Sequence, residues 1–196
     1  ISRGSVMTGH LLAMNPGTIE KEIEGIHTKE PTFGLPAVWI LTSEKQSAQM
    51  AGYTVVDPST VITTHIKETI KRHASELLGR QETQALIDKF KESNPKVIEE
   101  LIPDVLSLGK VQKVLQNLLK EKVSIRDLRT ILEQLADYAP STKDTDILTE
   151  YVRQAMARPI TKQFQSTDGS LSVMTLDRQV EELIHNSIQK TELASF

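Results

Sequence analysis

Glu30-Pro31-Thr32-Phe33-Gly34-Leu35-Pro36, followed directly by Ala37-Val38-Trp39-Ile40-Leu41, is the stretch on which the fold turns. Each proline fixes φ and lacks an N–H, each pushes the residue before it toward extended backbone, and Gly34 is free to take a positive φ between them. Residues 30 to 36 are therefore expected to form a stiff loop through which no helix can run. The apolar run after it has strand length and β-favouring composition, so it reads as a buried strand fed by the loop. Phe33, one of only four phenylalanines in 196 residues, is thereby held at a strand's mouth. Two readings of it stand side by side. It is either an apolar plug between domains, since large apolar side chains are usually at least partly buried, or a partly exposed aromatic anchor for a partner protein.

Working outward, Leu11-Leu12-Ala13-Met14 runs into the turn signal Asn15-Pro16-Gly17, and the stretch from there to Thr28 is charged and loosely alternating. On the other side, Ser43 and Gln46 have capping-box spacing and open a short helix that Gly52 can close, after which Tyr53-Thr54-Val55-Val56 reads as a strand. Strand, helix and strand in so few residues predict a compact crossover unit. Asp57 as N-cap and Pro58 at the first helical position then start a long helix. Its Ile62, Ile66, Ile70, Ala74, Leu77 and Leu78 keep helical spacing, and Gly79 is placed to end it. This helix is expected to pack across the mixed region.

From Arg80 to Ala157 every segment reads as helix. Leu86, Ile87 and Phe90 mark one helix and Asn94-Pro95 opens another. Val111, Val114, Leu115, Leu118 and Leu119 form the clearest apolar stripe in the chain. Ser124 and Asp127 start a helix carrying Leu128, Leu132 and Leu135 that Pro140 ends, and one more carries Leu148, Tyr151, Val152 and Ala155. Short connections make these a helical domain with its own core. Beyond it, Ile160 to Gln165 and Leu171 to Met174 read as strands of a hairpin around Asp168-Gly169, and Leu176 to Ile188 as an amphipathic helix. An isolated hairpin is marginal in water, so this last domain is expected to continue past Phe196. The fold class is α+β with several subdomains: a small α/β unit of βαβ type, an all-helical middle, and the start of a C-terminal α/β unit.

Composition narrows the chemistry. A formal net charge of −3 argues against a dedicated nucleic-acid binder, and the lack of cysteine removes disulfides, thiolate nucleophiles and the usual structural zinc sites. No apolar run approaches the length of a membrane span, and Ile1-Ser2-Arg3-Gly4 carries neither an initiator methionine nor a signal-peptide pattern, as expected of a soluble piece of a longer protein. Gly4 and Gly9 mimic the first half of a P-loop, but His10 stands where lysine belongs. Ser124-Ile125-Arg126-Asp127-Leu128 has the look of a kinase catalytic loop, but Asp127 sits at a helix start, with Leu132 in the place of the metal-binding asparagine. His65 and His73 lie about 12 Å apart along one helix and cannot share an ion. Ser75 beside His73 lacks the geometry of a triad. A helix-turn-helix reading around Lys122 fails because Glu121, Asp127 and Glu133 interrupt the cations. No enzymatic activity, cofactor or metal is expected.

Taken together, Glu30 to Ile40, Gly52 to Asp57, Leu78-Gly79-Arg80-Gln81-Glu82, Val114 to Leu119 and Ile125 to Glu133 resemble, in order and over nearly the whole chain, the cytoplasmic domain of the flagellar type III export-gate (FHIPEP) family. The related virulence secretion gates form its wider circle. The resemblance implies a polytopic protein of the bacterial inner membrane whose C-terminal half hangs into the cytoplasm as a nonameric ring. It divides this chain into residues 1–8 and 58–77 as the remnant of a first α/β subdomain, 9–57 as a small inserted α/β subdomain, 78–157 as the all-helical subdomain, and 158–196 as a truncated C-terminal α/β subdomain. It also implies a docking platform for export chaperones carrying filament-type substrates, in contact with the export ATPase complex and other gate proteins. On that likeness the docking residues are Phe33, the acidic Glu30, where the family pattern has aspartate, and Thr64 on the long helix. Loop geometry adds Gly34, Leu35 and Pro36. A carboxylate at Glu30 is expected to accept hydrogen bonds from a chaperone helix. The alternative is a ring-assembly scaffold without direct cargo docking by Phe33.

Overall fold

The structure is a computed structural model that describes residues 6–17, 19 and 21–187. Two compact units divide the chain, residues 1–152 and residues 153–196.

The first unit opens with four strands, β1 (His10–Met14), β2 (Ile26–Lys29), β3 (Pro36–Leu41) and β4 (Thr54–Val56), in the sheet order β2-β3-β1-β4. Every pairing is antiparallel, and Leu12 of β1 lies opposite Trp39 on one side and Val56 on the other. Because β3 and β4 both run against β1, they are parallel to each other with β1 between them. The expected crossover is therefore present, split by a strand, with α1 (Lys45–Met50) carrying the connection. Leu12, Ala37 and Trp39 pack with Val61 on one face of the sheet. Ala13, Val38 and Ile40 pack with Ala48 of α1 and with Tyr53 on the other. A strand buried on both faces has no polar side, which is why β3 is a continuous apolar run.

Local caps differ in detail from the sequence reading. Helix α1 has no side-chain cap of its own and follows a 3-10 turn at Thr42–Glu44; the side-chain bond that opens this turn comes from Glu44, whose carboxylate accepts the Leu41 N–H at 3.2 Å, in place of the Ser43 and Gln46 pair. Asp57 does cap α2 (Pro58–Arg72), accepting both the N–H and the hydroxyl of Thr60 at 2.9 Å. The long helix, however, breaks at His73, and a separate turn, α3 (Ala74–Leu77), follows. Gly79 does not terminate it. It stands in extended backbone as the N-cap of α4 (Arg80–Ser93). The cause is the carbonyl of Leu78, which accepts from Gln112 Nε2 at 3.0 Å and Gln116 Nε2 at 2.9 Å and so leaves the helical ladder. Val61 is the one buried residue of α2, so Ile66 and Ile70, expected to pack, are exposed, as is Leu77 on α3.

The helical part continues with α5 (Pro95–Leu101), α6 (Leu108–Lys120), α7 (Leu128–Tyr138) and α8 (Thr145–Ala155). Val111, Val114, Leu115 and Leu118 of α6 are buried, as are Ile131, Leu132 and Leu135 of α7 and Leu148 of α8. Asp127 caps α7 by accepting the Thr130 N–H at 3.2 Å, the role read for it in the sequence. Asn117 Nδ2 ties α6 to α8 through Asp146 Oδ1 at 3.0 Å and Thr149 Oγ1 at 3.2 Å.

In the second unit the hairpin expectation is corrected. Residues 157–164 form a helix, α9 (Ala157–Phe164), and Leu171 to Met174 is irregular; among the described residues this unit has no strand. Pro159 sits in the first turn of α9, where a missing N–H costs nothing, so the run after it is free to be helical. The turn itself forms, with Gly169 at φ +84 and the Ser166 N–H donating to Ser170 O at 2.9 Å, but no ladder extends from it. Helix α10 (Arg178–Ser187) matches the expected amphipathic segment. Ile188, the rest of 158–196 beyond it, and residues 1–5 of the 1–8 segment, including Gly4, lie outside the described residues.

Candidate functional site

Strands β2 and β3 form a hairpin closed by the Lys29–Pro36 pair, and Glu30 to Leu35 is its loop. The proline-bracketed segment is thus a hairpin tip, positioned by a strand, β2, that the charged sequence before Glu30 did not announce. Glu30 organises the loop from both of its ends. Its N–H donates to Leu35 O at 2.8 Å, and its carbonyl accepts the Gly34 N–H at 2.9 Å. Gly34 takes φ +72, open space surrounds the position where a Cβ would stand, and the turn uses the conformation glycine permits.

The Glu30 side chain turns inward, contrary to the expectation of a carboxylate offered to a chaperone helix. The residue is 3% exposed, and its carboxylate accepts the N–H of Thr32 at 2.9 Å and of Phe33 at 2.6 Å. Both oxygens are occupied by the chain's own backbone. Phe33 is the opposite case. It is 66% exposed, so among the described residues it plugs nothing, and Leu35 beside it is 40% exposed. Gly34 and Pro36 are exposed as well, so the outer surface of the tip is apolar. Thr64 belongs to a different element, α2, one turn beyond the sheet-packed Val61, and is half-buried. Glu30, Phe33, Gly34 and Leu35 share one loop with Pro36 at the start of β3, and Thr64 stands apart from them in the sequence, on α2.

The histidine candidates sit elsewhere in the fold. His10 begins β1, and His73 Nδ1 pairs with Glu76 Oε1 at 3.0 Å in the helical break. His65 Nδ1 is buried without a hydrogen-bond partner. Among the described residues no three histidine, aspartate or glutamate side chains gather into a set able to hold a metal ion. A groove of about 560 Å³ beside α1, floored by Ile23, Ile40, Ala48 and Ala51 and rimmed by Glu22, Glu24 and Glu44, was not foreseen. Its only sequence trace is the spacing of isoleucines in the charged stretch before β2.

Comparison with known proteins places this architecture. The chain is 53% identical over all of its 196 residues to the flagellar biosynthesis protein FlhA of Bacillus subtilis (strain 168), and it spans 29% of that relative's length. Among solved structures, Chlamydia pneumoniae CdsV superposes with a TM-score of 0.80 at 30% identity, over 97% of this chain and 56% of that one. CdsV in complex with CdsO gives 0.75 at 28% identity, over 95% and 62%. The nonameric EscV cytosolic domain from the type III secretion system gives 0.68 at 30% identity, over 95% and 56%. No helix among the described residues is long and apolar enough to cross a membrane. The FHIPEP family model matches residues 1–196, so the antiparallel sheet, the Phe33 hairpin and the helical domain are those of a protein that belongs to the FHIPEP family.

Proposed function

We propose that this chain is part of the cytoplasmic docking platform of a flagellar type III export gate at the bacterial inner membrane, and that the Phe33 loop receives export chaperones carrying filament-type substrates. The observation that carries the reading is a large aromatic ring held 66% exposed on a loop whose backbone is closed by hydrogen bonds. Such a ring contributes to a complex only when a partner covers it, about 1.5–3 kcal/mol for a residue of this size, and a rigid loop has little entropy left to lose on binding. Leu35, Gly34 and Pro36 extend the apolar contact, and Thr64 offers a hydroxyl on the helix that packs against the same sheet. Glu30 serves the loop instead of the partner.

A second reading, a ring-assembly scaffold without cargo docking by Phe33, draws on the nonameric state of the EscV cytosolic domain. Binding of partner proteins draws on the CdsV–CdsO complex in the same way, and this reading extends it to the export ATPase complex and other gate proteins. The two readings part at one substitution. With Phe33→Ala, docking predicts that binding of a chaperone–substrate complex, measured by titration calorimetry, weakens by roughly 10-fold or more while ring assembly persists. Unchanged chaperone binding with impaired assembly would select the scaffold.

A further inference from the structure

We propose that Glu30 is a positioning residue: its buried carboxylate latches the backbone of Thr32 and Phe33 and keeps the Phe33 ring presented outward. The functional half of this inference rests on the docking reading above. The structural half rests on the loop alone.

Glu30 is 3% exposed although it flanks a hairpin tip, whereas Phe33, three residues on, is 66% exposed. A carboxylate is removed from water only where hydrogen bonds replace its hydration, and here Oε1 takes the Thr32 N–H at 2.9 Å and Oε2 the Phe33 N–H at 2.6 Å. The same residue's N–H and carbonyl engage Leu35 and Gly34. One residue thus holds the loop at four backbone positions, and among their side chains the aromatic is the most exposed, ahead of Leu35. A partner approaching the tip meets the ring and the glycine–leucine rim, while the carboxylate is already satisfied beneath them.

The chemistry of the latch is specific. An ionised carboxylate presents acceptors on both oxygens and no donor, while glutamine places an NH₂ where one of the two loop N–H groups points, so that donor meets donor. Aspartate keeps both acceptors, and in this chain it already caps N–H groups three residues ahead, from Asp57 to Thr60 and from Asp127 to Thr130. Aspartate should therefore substitute for Glu30, and glutamine should not, although glutamine is the closer match in size.

The test compares Glu30→Gln, Glu30→Asp, Phe33→Ala and the double variant Glu30→Gln/Phe33→Ala in the intact chain, with circular dichroism to establish folding. Amide hydrogen exchange read by NMR at Thr32 and Phe33 is expected to quicken by about tenfold or more in Glu30→Gln and to stay near the parent rate in Glu30→Asp. Titration with a flagellar export chaperone bound to its filament-type substrate is expected to show Glu30→Gln weakened by roughly 5- to 10-fold, with Glu30→Asp restoring affinity. In the Phe33→Ala background, Glu30→Gln should cost nothing further, because the latch acts through the ring. Unchanged exchange in Glu30→Gln would remove the latch. An undiminished loss in the Phe33→Ala background would overturn positioning in favour of direct contact with the partner. If Phe33→Ala alone leaves binding intact, the docking reading and the functional half fall together, and the exchange rates still decide the structural half.

Discussion

A side chain on Gly25 would stand 2.5 Å from the carbonyl oxygen of Trp39, and equally close to Val38 Cγ1. Gly25 also holds φ +154, so its backbone both needs glycine and lies against β3 where a Cβ has no room. The next residue, Ile26, pairs with Trp39 as the first rung of the β2–β3 ladder. Gly25→Ala is therefore expected to lower stability by about 2 kcal/mol or more, through overpacking and backbone strain together. Urea unfolding followed by circular dichroism measures it. An unchanged midpoint would mean that β2 is free to move away from β3.

Leu78 is held from across the helical domain by two glutamines, and the arrangement predicts redundancy. Gln112→Ala or Gln116→Ala alone leaves the Leu78 carbonyl with one donor and should cost a few tenths of a kcal/mol. Removing both strands a carbonyl at a buried residue and should cost about 1–3 kcal/mol. The double-mutant cycle is expected to be strongly non-additive, and additive singles would show that solvent reaches the carbonyl.

What the sequence made legible follows from where the determinants lie. Asp57 and Asp127 announced their helices because an N-cap is a local device, and β3 announced itself because both of its faces are buried. Phe33 was legible as a held aromatic, since the prolines and Gly34 restrict the loop whatever surrounds it. The rest depended on long-range partners. The glutamines that divert Leu78 lie more than thirty residues away from it, so no local signal told of the break before α4 or of the new role of Gly79. Strand β2 was missed because His27, Thr28 and Lys29 form an edge that stays largely exposed. The inward turn of Glu30 was missed because spacing cannot say which way a carboxylate faces.

Asp57 gives stability a pH dependence. Hydrogen bonds from the Ser59 hydroxyl, first, and then from the Thr60 N–H and hydroxyl hold its carboxyl well below the usual carboxylate range. A carboxyl with a depressed folded pKa stabilises fully above its unfolded value, near 4, and that contribution is lost as the pH falls below it. Urea midpoints measured from about pH 5 down to pH 2 should therefore decline more steeply in the parent than in Asp57→Asn, which still caps the helix but does not titrate. Some slope will remain in the variant. Glu68, held down by a hydrogen bond from Lys71, and Asp168, held down by the Ser170 N–H, act in the same direction. Parallel curves would assign the acid sensitivity to other groups.

Leu115 and Phe33 separate packing from docking. Leu115 is wholly buried in the middle of the α6 stripe, so Leu115→Ala removes transfer energy and leaves a cavity, together about 2–5 kcal/mol. Phe33→Ala removes a larger side chain, but one that is 66% exposed, and should shift stability by no more than about 0.5 kcal/mol. The pair thus reverses the order that side-chain size alone would give. Thermal and urea unfolding of the two variants side by side makes the comparison. A Phe33→Ala chain that loses stability on the scale of Leu115→Ala would mean that the ring packs against the protein in solution, and its exposed position could no longer carry a docking role. Stability preserved at Phe33 leaves any loss of partner binding in that variant attributable to the contact itself.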